Sequence, residues 1–535
     1  MPQIEKPNVI LILLDDMGFA DLGVMGSEIQ TPNIDKLAND GVLLTQMYNC
    51  ARCCPTRASL LTGLYPHNAG VGQMTANLGE RAYQGHLRED AVTIAEMLKT
   101  NGYRTMMSGK WHVGGEYFAR ETAVWTPGAK GFPTPRQRGF DRYYGIIDGV
   151  TNFFSPHYVM KDDKQVEVPA ADYYFTDDIT DKAIEMIEAT EGDPYFLYLA
   201  HTAPHWPIQA LPEDIAKYEG VYDKGWDATR TARHEEMLSR GVLQHKWEIS
   251  PRDESAPPWE DVEHQSWESM RMAVYAAMID RVDQSVGRLI EVLKARGEFD
   301  NTLILFLSDN GGCAEFMAED GWAKFMPDVH NDGRQIQMGN RTDVEPGGPL
   351  TYMSYDLPWA NVSNAPFRLF KHWVHEGGIS TPFIAHWPAK ISGGTIQHEP
   401  CHVVDVLATI AGATGATYPP EYHDQAIQPT DGESLLPLLQ DQDWQREQPI
   451  FFEHEGNCAI RQGPFKLVRQ FNQPWELYDM EADRTELNDL MGQNDPLTKR
   501  LLKAYEAWAS TTGVMDWNVL LPRLMAIWQM DDIHG

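Results

Sequence analysis

Four short apolar runs in this chain are each followed by residues of kinds that do chemistry. Val9 to Leu14 gives way to Asp15-Asp16, and Thr302 to Leu307 gives way to Asp309-Asn310. Tyr103 to Met107 is followed by Lys110 and His112, and Tyr195 to Ala200 by His201 and His205. Ligands in open α/β sheets bind beyond the carboxyl ends of the strands. An acidic pair after one run is as easily a helix cap, but titratable groups after four runs point to a shared site. Asp15, Asp16, Asp309 and Asn310 offer only oxygen donors, which suit hard cations such as Ca²⁺ or Mg²⁺ and not zinc or copper. Three gathered carboxylates repel one another, so one divalent ion among them is expected. Cys50, Cys53 and Cys54 crowd a short stretch. The C-x-x-C of Cys50 and Cys53 suggests a redox pair or half a zinc site, yet no second C-x-x-C accompanies it.

The elements that must hold these residues follow from the apolar pattern. Val9 to Leu14 is a continuous β-prone run, as in a strand buried on both faces of a parallel sheet. Thr31-Pro32 opens a helix that Gly41 stops. Helical spacing recurs at Val92, Ala95 and Leu98, at Ile179, Ala183 and Ile187 behind a Thr176 cap, and from Val274 to Leu293. Strands alternating with helices predict a large mixed, mostly parallel sheet sandwiched by helices. That α/β unit is assigned residues 1–440. From 441 to 535 the pattern changes to four short strand candidates, Ile450 to Glu453, Asn457 to Arg461, Phe465 to Arg469 and Glu476 to Tyr478, then a helix around Leu497 to Ala509. This predicts a smaller C-terminal antiparallel sheet packed by a helix. Residues 218–268 are polar and read as an insertion near the surface. The tail from Val514 to Met530 is too apolar for a free end and is expected to pack on its own body or on a second subunit.

The most specific local signal is Cys53-Cys54-Pro55-Thr56-Arg57, followed by Leu61-Thr62-Gly63. It resembles the sulfatase signature Cys-x-Pro-x-Arg, whose leading cysteine is converted to formylglycine. Further segments fit the same family in order: Asp15-Asp16-Met17-Gly18, Gly109-Lys110-Trp111-His112, Ala203-Pro204-His205-Trp206-Pro207, Ser308-Asp309-Asn310-Gly311, Lys371 with Glu376-Gly377-Gly378, and Leu477-Tyr478-Asp479. Nearly the whole chain is covered, most like bacterial arylsulfatases of the alkaline-phosphatase superfamily. The resemblance implies a sulfuric ester hydrolase acting on aryl sulfate-type monoesters. It implies a formylglycine (3-oxoalanine) at Cys53, made by a formylglycine-generating enzyme. The metal, calcium before magnesium, would be held by Asp15, Asp16, Asp309, Asn310 and the modified Cys53. Arg57, Lys110 and Lys371 would supply fixed positive charge, with Lys110 and Lys371 on the sulfate. His112 would assist the nucleophile, and His205 would contact the substrate at its leaving oxygen. The alternative on the same fold is a phosphonate or phosphate diester hydrolase. His201, His372 and His375 match no motif and are assigned to packing.

Composition narrows the partners. Lys and Arg total 44 against 77 Asp and Glu, a formal charge of −33. That excess argues against broad nucleic-acid binding and against docking on an anionic membrane, and it requires a local positive pocket to capture an anionic ester. Six cysteines in 535 residues are no disulfide framework. The short polar start and the absence of a long apolar run make a cytoplasmic protein the expectation, periplasmic if a leader was removed. Trp206, Trp322 and Trp359 lie near motif segments and are candidates to stack on a substrate ring, with core packing the ordinary use of each. The apolar tail also motivates a homodimer.

Overall fold

The structure is a computed structural model describing residues 6–115, 127–169, 171–319 and 326–528. An 11-stranded sheet forms its centre. We label its strands β1 (Asn8–Leu14), β2 (Val42–Tyr48), β3 (Arg104–Lys110), β4 (Arg142–Ile146), β5 (Val159–Lys161), β6 (Lys164–Gln165), β7 (Tyr195–Ala200), β8 (Thr302–Ser308), β9 (Ser380–His386), β10 (Thr395–Gln397) and β11 (Cys401–His402). The order is β10-β2-β9-β8-β1-β7-β3-β4-β5-β6, with β11 also on β2. β8, β1, β7, β3 and β4 run parallel, whereas β9 is antiparallel to both β2 and β8.

β1 lies inside the sheet and buries both faces, as its unbroken apolar run demands. Ile10, Ile12 and Leu14 enter one core with helices α1 (Pro32–Asn39), α3 (Phe175–Glu188) and α4 (Gln265–Ala295). Val9, Leu11 and Leu13 enter the opposite core with α2 (Cys53–Thr62) and α5 (Asp405–Thr414). The sheet is therefore covered on both sides. A separate four-stranded antiparallel sheet follows: β12 (Ile450–His454), β13 (Asn457–Gln462), β14 (Phe465–Arg469) and β15 (Glu476–Asp479). Helix α6 (Asp495–Thr512) packs on it through Leu497, Leu501, Tyr505 and Trp508.

Three features differ from the sequence reading. Strand β3 runs on to Lys110, so Lys110 ends the strand and does not follow it. Helix α3 begins at Phe175 with Tyr174 at its cap position, not Thr176. Residues 218–268 are no loose surface excursion, since Tyr218, Tyr222, Trp226, Met237 and Trp247 are buried in the main core. The tail forms helix α7 (Trp517–Trp528), whose Trp517, Leu520 and Leu524 pack on Ala76, Leu78, Ala82 and Tyr83 of the same chain. Among the described residues no helix is long and apolar enough to cross a membrane.

Candidate active site

The register of the sheet sets the floor of the site. Leu14 of β1 pairs with Ser308 of β8, Leu13 with Ala200 of β7, and Ala200 with Gly109 of β3. Asp15, Asp309 and Lys110 therefore emerge side by side at one edge. Gly109 is required there: its φ is +114° and a Cβ would lie 1.8 Å from the Ala200 carbonyl oxygen, a clash no side chain tolerates. The nucleophile segment arrives from β2. Asn49 Oδ1 accepts from Ala51 N–H and Thr56 Oγ1 accepts from Cys50 N–H, turning the chain so that Cys53 begins α2. Lys371 comes from a loop pinned by its own N–H to the Gly312 carbonyl (3.2 Å) and by His372 N–H to the Ala51 carbonyl (2.8 Å).

Every residue of the expected constellation meets here, each 9% exposed or less. The three acids each have a cation of their own. Lys110 Nζ donates to Asp15 Oδ2 at 2.6 Å, and Lys371 Nζ to Asp16 Oδ2 at 2.9 Å. Arg57 donates from Nε and Nη2 to Asp309 Oδ2 at 3.1 and 2.7 Å, and from Nη1 to the Lys110 carbonyl at 3.1 Å. Asn310 Nδ2 donates to Asp16 Oδ1 at 2.6 Å. His205 Nε2 faces Lys371 Nζ at 3.3 Å and Asp16 Oδ2 at 3.5 Å, and its Nδ1 donates to the Trp206 carbonyl at 2.6 Å. Donor atoms of Cys53, Cys54 and His112 lie within 4.8 Å of one another, as do those of Asp15, Asp16 and His205.

The electrostatics suit an anion-handling pocket. The hydrogen bond from Cys54, with His112 and Lys110 beside it, holds the Cys53 thiol well below its ordinary value, and a helix N-terminus favours the same direction. Burial pushes His112 down to about 4 and also lowers His205, so both imidazoles are neutral near pH 7. Burial opposes the charge on Asp15, but Lys110, His205 and Arg57 outweigh it and hold that carboxyl at about 2. Asp309 moves the other way, raised by burial and by the neighbouring Asp15.

Repulsion among the acids does not by itself demand a metal, because the three cations offset it. The donor set nevertheless fits a hard divalent ion. Asp15, Asp16, Asp309 and Asn310 supply oxygens at one edge of the sheet, and Asp15 Oδ1 and Asn310 Oδ1 are buried without a hydrogen-bond partner among the described residues.

Comparison with known proteins decides the family. The family model described as Sulfatase matches residues 7–416, most of the chain. The chain belongs to the sulfatase family. It is a sulfuric ester hydrolase of the alkaline-phosphatase superfamily. A second family model, N-sulphoglucosamine sulphohydrolase, C-terminal, matches residues 367–507. This sulfatase is 32% identical to an arylsulfatase of Klebsiella aerogenes over 81% of its own length and 92% of that protein's. It is 30% identical to an uncharacterized sulfatase of Schizosaccharomyces pombe, covering 96% of this chain and 95% of the other. The solved structure of Ps i-CgsB in complex with k-i-k-neocarrahexaose is similar at a TM-score of 0.66 and 27% identity, covering 94% and 93% of the two chains.

Other candidates fall outside the site. His201 is buried with neither ring nitrogen bonded among the described residues. Trp359 packs with Tyr222, Trp226 and Trp259 in the core. Trp322 lies outside the described residues. Sequence reading missed two neighbours. Glu315 contacts Trp206 Nε1 (2.7 Å), Arg52 (2.9 Å) and Lys371 (3.8 Å). Arg52 directly precedes the nucleophile. The signal for Arg52 was its place beside the motif; Glu315 lies further along the loop after β8, outside any motif, and carried none.

Proposed function

We propose that this sulfatase cleaves sulfate monoesters by covalent catalysis through formylglycine made from Cys53, aided by one divalent cation, calcium before magnesium. The observation that supports it is the convergence of Cys53, the oxygen donors and three cations in one buried pocket. Asp15, Asp16, Asp309 and Asn310 would hold the ion with residue 53, and when bound it supplies Lewis-acid polarisation. Hydrated, an aldehyde at position 53 offers one hydroxyl to displace the alcohol from sulfur and a second whose proton loss expels sulfate. Cys53 is 2% exposed, so a maturing enzyme reaches it before the fold closes.

The surrounding residues have separable tasks. Lys110 and Lys371 bind the sulfate oxygens and stabilise the charge that grows on them during transfer. Arg57 keeps Asp309 and the end of β3 in place through its three hydrogen bonds. Neutral His112 accepts the nucleophile's proton. The tautomer of His205 is fixed by donation from Nδ1 to the Trp206 carbonyl, which leaves Nε2 as an acceptor facing Lys371. Protonation of the leaving oxygen therefore runs through the Lys371–His205 pair and not through the imidazole alone.

Peptide mass analysis tests the modification, since the conversion removes about 18 Da from residue 53. The converted protein is expected to hydrolyse an aryl sulfate, with much lower kcat/KM on the matched aryl phosphonate ester. Cys53→Ala abolishes turnover. Full activity in that variant, or an unmodified thiol in active protein, overturns the mechanism.

A further inference from the structure

Next to the buried anion pocket lie partly exposed residues, joined to it through Lys371 and His205, that the steps above leave without a task. Glu315 is their hinge. One carboxylate oxygen accepts from Trp206 Nε1 at 2.7 Å, and the other meets Arg52 Nη2 at 2.9 Å. The Trp206 ring is half-buried and lies 4.6 Å from that of His205, the residue at the leaving oxygen. Arg52 uses Nε on Met74 Sδ and Nη2 on Glu315, leaving Nη1 without a partner among the described residues. Glu455, whose charge also acts on Arg52, accepts from Gln73 Nε2 at 2.7 Å and pairs with His372 Nδ1 at 3.2 Å. Side-chain exposure is 21% for Arg52, 27% for Glu315, 30% for His372 and 19% for Glu455. These side chains are reachable by a substrate, unlike the groups beneath them.

The chemistry of these residues selects a leaving group. Arg52 is paired with Glu315 and lies in the field of Glu455, so a second sulfate or a carboxylate near the ester would face acids. A flat apolar ring would strip water from Arg52 and Glu315 and return no hydrogen bonds, an unfavourable exchange. A neutral ring rich in hydroxyls replaces that water with its own donors and acceptors, and Trp206 offers an aromatic surface beside them. Resting on the sulfatase mechanism proposed above, we infer that Glu315, Arg52 and Trp206 form the leaving-group subsite and that it takes a neutral, hydroxyl-rich sugar ring. Glu315 accepts from a sugar hydroxyl with a lone pair its two present partners leave free, and Arg52 Nη1 donates to another.

The test uses full-length protein with position 53 converted, verified by mass. The probes are 4-nitrophenyl sulfate, galactose and glucose monosulfates at each hydroxyl, and a hexuronic acid monosulfate. Wild type is expected to hydrolyse at least one neutral hexose sulfate, with the hexuronate poorer. In Glu315→Gln the ratio of kcat/KM for that hexose sulfate to kcat/KM for the aryl sulfate falls at least about tenfold, the scale of one hydrogen bond to a charged group. If no ester is turned over, the proposed mechanism falls. Turnover of the aryl sulfate but of no neutral hexose sulfate, or a preference for the hexuronate, overturns the subsite alone. Equal losses on both substrates in Glu315→Gln also overturn it, since Glu315 would then act only through Lys371.

Discussion

Replacing Lys466 with Met is expected to loosen the joint between the C-terminal sheet and the catalytic loop. Lys466 Nζ, on β14, lies 2.9 Å from Glu376 Oε1 and 2.8 Å from Glu486 Oε1, and all three side chains are fully buried. Glu376 keeps Arg484 Nε at 2.9 Å and the Tyr48 hydroxyl at 3.0 Å when the lysine is lost. Among the described residues the Glu486 carboxylate keeps only the Glu376 N–H, at 3.0 Å. Removing one member of such a buried set leaves an uncompensated charge and costs about 3–5 kcal/mol. The Glu376 carboxyl gives an independent scale. Burial would raise it, but Lys466, Arg484 and Arg461 together bring it from 4.5 down to about 2, a shift worth about 3 kcal/mol that the three cations share. Because the folded value is the lower one, this stabilisation is fully present above pH 4.5 and is lost as pH falls through about 2. Glu376 opens the turn five residues after Lys371, so the damage reaches the active site. Urea unfolding of Lys466→Met, followed in parallel by tryptophan fluorescence and aryl sulfate turnover, should show a lower midpoint with activity lost before fluorescence. Adding Glu486→Gln should restore part of the loss. A shift worth less than about 1 kcal/mol, or no recovery in the double variant, refutes the reasoning.

Acid sensitivity above pH 4.5 is expected to come from buried histidines instead. Burial pushes His201 from 6.5 down to about 3, so its contribution is intact above pH 6.5 and is lost as pH falls toward 3, reaching about 2 kcal/mol at pH 5. His201→Gln should flatten the stability profile between pH 7 and 5 by that amount in urea melts; an unchanged slope contradicts it. Chelation with EDTA should lower the thermal midpoint as well as the activity, since an ion present at 100 times its Kd stabilises by about 2.7 kcal/mol. Calcium should restore the midpoint at lower concentration than magnesium, and a midpoint indifferent to both argues against the site. Asp309→Asn should erase that calcium-dependent shift, read by calorimetry without substrate.

The parts of this fold written in local order were readable from sequence. β1, β7 and β8 announce themselves as apolar runs, and a strand buried on both faces must end where its polar residues begin. That rule delivered Asp15, Asp16, Asp309 and Asn310, and the four short strands of the C-terminal sheet follow their turns equally closely. Lys110 slipped inside its strand because Gly109, at φ +114°, lets β3 continue against the Ala200 carbonyl; a glycine there looks like a stop. What sequence hides is which charges pair across the chain. Residues 218–268 read as surface because they are polar, yet Arg233 is buried on Asp21 at 2.6 Å and on Glu28 at 2.7 Å, and Arg230 is buried on the Asn361 and Ser250 carbonyls. A paired or hydrogen-bonded arginine can occupy a core while counting as solvent-facing in any composition. The same blindness affected the argument for a metal. Three carboxylates looked unable to coexist because their partners Lys110, Lys371 and Arg57 stand far off in sequence. With those pairs in view the acids and cations balance one for one, so the case for an ion passes from repulsion to donor chemistry: oxygen ligands from two neighbouring strand ends, two of their buried atoms without a hydrogen bond among the described residues. It also explains how a chain at −33 can accept an anion. The three acids and their three cations balance, and a divalent ion at the proposed site would turn the pocket positive where the sulfate would sit.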